Sequence, residues 1–246
     1  MGCVTLEVVR SDDPPIQLVI FDLMGTLVVD DDLVANAYAA ALTQAGFVSN
    51  SPEFEAAREQ VNARRGRPTL VVLTEVLGDP VVAEESTWAF DDAVLAASKS
   101  VVPTPGADDV LTWLNERNIF AAVTTSFSVD VRKRLLAQLG WEQMFATQLS
   151  AHGVRRGHPA PDLLLEAILE LRVDSVAQVA IVGDTISDLE AGNRAGAGLV
   201  IGVLSGTHDR SQLETAPHTH LVDSVSEVPA ILERPRTGGH RRGSDQ

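Results

Sequence analysis

Gln17-Leu18-Val19-Ile20-Phe21-Asp22-Leu23-Met24-Gly25-Thr26 opens on a run of apolar, largely β-branched residues and stops at a carboxylate. Such a run predicts a strand buried on both faces, as in a parallel sheet. Asp22 stands at its carboxyl end, and Gly25-Thr26 break it. A lone Asp at this place is more often a turn or a helix cap than a reactive group. What reaches the same sheet edge decides between the two. A second run, Val179-Ala180-Ile181-Val182, ends in Gly183-Asp184, and a third, Ile119 to Thr124, ends in Thr124-Thr125-Ser126.

Between these runs the spacing is helical. Helices are expected over Ala107–Arg117, Val129–Leu139 and Ala160–Leu171, with another through Leu189 and Ala195 before a last strand, Leu199–Val203. Strands alternating with helices predict a parallel sheet covered on both faces. From Asp30 to about Ser100 the pattern is helical throughout. Asp30-Asp31-Asp32 precede apolar positions Leu33, Val34, Ala37, Tyr38, Ala41 and Leu42, and Gly46 is the stop. Further helices are expected over Pro52–Arg64, Thr69–Leu77 and Val81–Ser100. The predicted fold is therefore α/β, a Rossmann-like parallel sheet core with an inserted helical domain. Residues 1–29 and 104–234 form the core, 30–103 the insert, and 235–246 a polar, Arg- and Gly-rich tail expected to be disordered.

Composition limits the function. The 246 residues carry a formal net charge of −15 and are 45% hydrophobic. That balance argues against nucleic acid or an anionic membrane as partner. A site for an anionic substrate in such a chain needs local cations or a metal. Cys3 is the only cysteine, which excludes an internal disulfide and suits a reducing cytoplasm. Met1-Gly2-Cys3 resembles a lipidation start, but Leu6 stands where myristoylation wants Ser or Thr, and no apolar run follows. Monomer and homodimer are both open.

Ligands in open α/β sheets bind at the carboxyl ends of the strands. Asp22, Thr124 and Asp184 should converge there. Asp184 and Asp188 in Gly183-Asp184-Thr185-Ile186-Ser187-Asp188 are one helical turn apart. Facing carboxylates repel unless a cation lies between them, and Mg²⁺ favours such oxygen ligands. A hydroxyl and loop amides at Thr124-Thr125 suit phosphate oxygens.

Phe21-Asp22-Leu23-Met24-Gly25-Thr26, Thr124 and Gly183-Asp184-Thr185 with Asp188 resemble motifs of the haloacid dehalogenase superfamily. Thr124-Thr125-Ser126-Phe127, Leu139-Gly140-Trp141 and Gly157-His158-Pro159-Ala160-Pro161 look closest to its phosphonatase-like branch, named for phosphonoacetaldehyde hydrolase. The resemblance implies a Mg²⁺-dependent hydrolase of a small anionic phosphorylated substrate, with the helical insert 30–103 as its cap domain. Asp22 would form an aspartyl-phosphate. Asp22, the Met24 carbonyl, Asp184 and Asp188 would surround the metal, and Thr124 would hold a phosphoryl oxygen.

The resemblance is incomplete at three places. Phosphatases of the superfamily carry an acid–base Asp two residues after the nucleophile, where this chain has Met24. The phosphonatase branch has a small residue there. Its cap lysine forms an imine, but the cap here offers Arg64-Arg65-Gly66-Arg67, and the only lysines are Lys99 and Lys133. Arginine is a very poor imine former. The cation of motif three is His158, with Arg155 or Arg156 as a substitute from the preceding turn. Arg64, Arg65 and Arg67 either grip the substrate or form a solvated helix end. The rivals to a phosphatase are a C–P bond hydrolase using Lys99 or Lys133, and a degenerate member that binds without turnover. His152, His208, His218 and His220 carry no clear signal.

Overall fold

The computed structural model describes residues 14–151 and 156–234. The expected tail, Cys3 and Arg155 lie outside them. The first strand is β1 (Leu18–Asp22). Leu18, Val19, Ile20 and Phe21 are fully buried, as a continuous apolar run requires of a strand covered on both faces. The other strands are β2 (Phe120–Thr125), β3 (Thr147–Ser150), β4 (Val179–Gly183), β5 (Leu199–Val203) and β6 (His220–Val222). They form one six-stranded sheet in the order β3-β2-β1-β4-β5-β6, with every pairing parallel. β1 pairs with β2 on one side and β4 on the other, so the strand order reverses beside it. This is the switch point where doubly wound sheets open a crevice. Asp22 ends β1 there, and Asp184 follows β4.

The helices expected in sequence are present, Thr69–Leu77 and Val129–Leu139 with the expected bounds and the others with shifted ends. Between β1 and β2 run α1 (Leu33–Gln44), α2 (Pro52–Asn62), α3 (Thr69–Leu77), α4 (Pro80–Ala97) and α5 (Ala107–Glu116). Beyond β2 lie α6 (Val129–Leu139), α7 (Asp162–Glu170), α8 (Ile186–Ala195), α9 (Arg210–Leu213) and α10 (Val228–Leu232). The three acids at 30–32 do not enter the first turn of α1. They precede it, with Asp31 and Asp32 in the left-handed region at φ 39° and 61°. Asp30 takes the capping role, its Oδ1 accepting from the Val34 amide at 2.9 Å.

The chain enters and leaves the α1–α4 segment through two neighbouring strands of backbone. The Val29 amide donates to the Val102 carbonyl at 3.1 Å, and the Thr104 amide to Leu27 at 2.8 Å. Above this neck, the insert shares an apolar cluster with the sheet face. Tyr38 and Phe90 stack at 4.7 Å between centroids, and Phe90 meets Phe127 at 5.8 Å. Such tilted aromatic pairs add about 0.5–1.5 kcal/mol each beyond the area they bury.

Candidate active site

Three carboxylates meet at the switch point. One ligand oxygen from each of Asp22, Asp184 and Asp188 lies within 4.8 Å of the others. Asp184 and Asp188 are buried. Each is held by a different device. Asp188 closes a capping box on α8: its Oδ2 accepts from the Thr185 amide at 2.9 Å and from the Thr185 hydroxyl at 2.7 Å. Asp184 accepts from Thr26 Oγ1 at 3.1 Å and from the Thr207 amide at 2.7 Å. Gly25 makes room for it. At φ 87°, a Cβ there would fall 2.4 Å from Asp184 Oδ2, so the turn after Asp22 requires glycine on two counts.

Burial raises the Asp22 carboxyl well above its usual range, and the charges of Asp188 and then Asp184 raise it further. Burial, then Asp188, pushes Asp184 up to about 7. Arg65 offsets only part of this repulsion, so the donor set fits a hard divalent cation with oxygen ligands. A stability consequence follows. A carboxyl group whose value is higher in the folded state holds its proton more tightly when folded. The associated stability is full below about pH 4 and is lost as the pH rises through about 7. Mg²⁺ is expected to raise Tm by roughly 5–10 °C at about pH 8 and far less at about pH 5. Thermal melts at both pH values check this; an equal shift at the two would contradict it.

Asp22 opens onto a chamber of about 30 Å³ whose wall includes Met24, Tyr38, Arg65, Thr125, Ser126 and Thr207. Thr124 and Thr125, both expected at the site, are placed differently. The Thr124 hydroxyl is buried and turned to the Phe21 carbonyl at 3.5 Å. Thr125 and Ser126, one and two residues later, line the chamber instead. The strand runs one residue further than its apolar pattern implies, and neighbouring side chains on a strand point to opposite faces.

Arg64, Arg65 and Arg67 also separate. Arg64 Nε and both terminal nitrogens of Arg67 bind Glu75 on α3. Arg65 is the one directed inward. It is ion-paired with Asp30 and donates to Thr207 Oγ1 at 3.2 Å. Its charge lowers the pKa of both Asp22 and Asp184. Gly66 lets this loop descend, since at φ 82° a Cβ would lie 2.2 Å from Thr185 Oγ1. Arg65→Ala is expected to raise KM for a phosphorylated substrate about tenfold or more, the scale of a lost buried, charge-assisted contact. Arg64→Ala and Arg67→Ala, which break exposed pairs, are expected to stay within about threefold. Steady-state KM values for the three variants test this; equal effects at all three would place the whole cluster in one role.

His158 is buried, with Nδ1 2.7 Å from Asp188 Oδ1, so it meets the acidic cluster from the motif-three position. Arg156 does not join it; it pairs with Asp162 at 2.8 Å on the surface. Among the described residues, neither lysine lines the chamber. Lys99 is exposed in the turn Ser98–Ser100, and Lys133 lines a surface pocket with Asp130 and Glu142. Sequence reasoning missed the loop after β5. Ser205 Oγ donates to the Gly25 carbonyl at 2.9 Å, Thr207 holds Asp184, and His208 Nδ1 accepts from the Ile186 amide at 3.0 Å. The only signal was a Ser-Gly-Thr-His run directly after a strand.

A doubly wound sheet with an acidic cluster at its switch point defines the class of site as one suited to a divalent cation, and comparison with known proteins gives the family. A family model described as haloacid dehalogenase-like hydrolase matches residues 16–196, and the chain belongs to that family. It is 34% identical over 217 residues to a protein of Dickeya dadantii named "Probable phosphatase IndB", covering 86% of this chain and 91% of that one. It is 29% identical over 154 residues to phosphonoacetaldehyde hydrolase of Bordetella pertussis, covering 53% and 55%. A hydrolase from Pseudomonas syringae superposes with a TM-score of 0.77 at 23% identity, over 88% of this chain and 98% of that chain, a likeness of fold alone. No helix among the described residues is long and apolar enough to cross a membrane.

Proposed function

We propose that this chain is a Mg²⁺-dependent hydrolase of a small phosphorylated metabolite, with Asp22 as nucleophile. The observation that carries it is the buried cluster of Asp22, Asp184 and Asp188 at the switch point. The Asp22 carboxylate attacks phosphorus, and the P–O bond to the organic group breaks. The leaving oxygen departs as the oxyanion and takes its proton from solvent water, and the water that enters in the second step gives its proton back to solvent. Water then attacks the phosphorus of the aspartyl-phosphate, releasing phosphate and restoring Asp22. Splitting hydrolysis this way gives two easier steps. Asp22, the Met24 carbonyl, Asp184 and Asp188 would hold the Mg²⁺, which when bound offsets charge on the transferring group. Thr125 and Ser126 orient the phosphoryl oxygens, and Arg65 adds positive charge from above. His158 is the motif-three cation of this scheme.

Residues 30–103 act in this proposal as a cap over a core of 1–29 and 104–234. The paired backbone at 27–29 and 102–104 supports that division. The chamber's small size supports a cap that opens for substrate, because about 30 Å³ accommodates one or two water-sized groups. A C–P bond hydrolase of the imine type is disfavoured by the lack of a lysine in the chamber. A cytoplasmic setting, a monomer or homodimer, and no nucleic acid or membrane partner belong to the same proposal. The test is phosphate release from phosphomonoesters and phosphonates, with and without Mg²⁺. Release from esters only with Mg²⁺ supports the phosphatase; turnover confined to phosphonoacetaldehyde, or none, overturns it.

A further inference from the structure

The geometry points to His208 as the residue that selects the organic part of the substrate, favouring a neutral, hydroxylated group over an apolar or a carboxylated one. This rests on the phosphatase reading and adds a substrate class to it. The chamber at Asp22 accommodates little more than the phosphoryl group, so the remainder of an ester lies outside it. Two cavities adjoin. One, of about 490 Å³, includes Leu70, Val71 and Thr87 of the cap and meets the chamber at Ser126. The other, of about 880 Å³, meets it at both Arg65 and Thr207. The larger cavity therefore adjoins the chamber along its inward cation and the loop that holds Asp184.

The wall of that larger cavity sets polar side chains beside Val29, Ala35, Ala63 and Ile186. Ile186 donates its amide to His208 Nδ1 at 3.0 Å, so in the neutral ring the proton sits on Nε2. His208 is mostly buried and lines the cavity, where that N–H is a preset donor. Asn62 and Gln212 line the same space. The three arginines in that wall are already paired, which leaves them little to offer a second anion. Arg65 is engaged by Asp30, and Arg64 and Arg67 by Glu75. Asp31 and Asp32 also line the cavity, and among the described residues neither is ion-paired. A carboxylate brought here meets uncompensated acids; a hydroxyl meets a donor and acceptors. An apolar chain leaves the imidazole N–H without a partner, a loss borne by the wrong substrate.

The experiment compares kcat/KM for ribose 5-phosphate, pentyl phosphate and 3-phosphoglycerate. Wild type is expected to rank them in that order. His208→Asn keeps an acceptor near the Ile186 amide but loses the distal N–H. It is expected to lower the ribose-to-pentyl ratio about 3–10-fold, the scale of one neutral hydrogen bond. His208→Gln, which retains a distal donor, is expected to recover part of that ratio. A second reading avoids turnover and the folding of either His208 variant. In Asp22→Asn protein with Mg²⁺, the His208 Nε2 resonance is expected to shift on adding ribose 5-phosphate but not pentyl phosphate. An unchanged ratio in His208→Asn, or a resonance indifferent to the sugar, overturns the inference. If wild type releases phosphate from p-nitrophenyl phosphate but ranks the three esters equally, only this inference falls. If it releases none from any ester, the phosphatase reading falls.

Discussion

Asp22→Asn is expected to lower turnover of every phosphorylated substrate by roughly 10⁴-fold or more, the scale seen when a covalent nucleophile is removed. The substitution preserves volume and shape and removes only the charge. It should not unfold the protein. Asp22 has its carboxyl raised by burial and by Asp188 and Asp184, so a neutral amide relieves repulsion in the metal-free state. Tm without Mg²⁺ should therefore equal or exceed that of wild type near neutral pH. Loss of activity with retained or higher Tm separates a chemical role from a structural one. A variant that keeps activity within about a hundredfold of wild type on any ester would contradict the nucleophile assignment.

The second large effect concerns Met24. Its side chain lines the chamber beside Asp22 at the position where superfamily phosphatases place an acid–base carboxyl. Among the described residues, nothing else in that wall replaces it. Burial pushes the Tyr38 phenol up to about 12, too weak an acid to protonate a leaving group readily near neutrality. Arg65 does not titrate in this range. The others are Thr and Ser hydroxyls. General acid catalysis is worth about 10²–10⁴-fold, or roughly 3–5 kcal/mol of barrier. Wild type is expected to favour aryl and acyl phosphates, whose leaving groups need no proton. Met24→Asp is expected to raise the rate on alkyl phosphates by up to about 10²-fold, and on p-nitrophenyl phosphate by less. An added carboxylate beside the cluster should also steepen the Mg²⁺ requirement. Equal wild-type rates on alkyl and aryl esters, or no gain in folded, metal-loaded Met24→Asp, would show that another group carries the proton.

What the sequence displays and what it hides divide along physical lines. β1 and β4 are legible because a strand buried on both faces must be apolar throughout. The same edge brings Asp22 and Asp184 together, so the carboxylate pair is legible with it. β3, Thr-Gln-Leu-Ser, and β6, His-Leu-Val, are short strands at the two sheet edges. Their pairing is carried by backbone on one side only, and their side chains leave no pattern. The strand end at Thr125 rather than Thr124 is a one-residue difference that composition cannot resolve, yet it decides which hydroxyl meets the chamber. Arg64, Arg65 and Arg67 are alike in sequence; only Glu75, eight residues beyond Arg67, separates two of them from Arg65. His208 was invisible because its role depends on the Ile186 amide, a contact between loops after different strands.

The most direct test of the central claim is chemical trapping of the intermediate. Enzyme is mixed with Mg²⁺ and a rapidly turned-over aryl phosphate, quenched, and reduced with borohydride, which converts an acyl-phosphate side chain to homoserine. Peptide mass spectrometry then locates the modified residue. Homoserine at position 22, dependent on both Mg²⁺ and substrate and absent from Asp22→Asn, is the predicted result. Continued turnover with position 22 unmodified, or with the mark on another residue, would contradict an aspartyl-phosphate at Asp22.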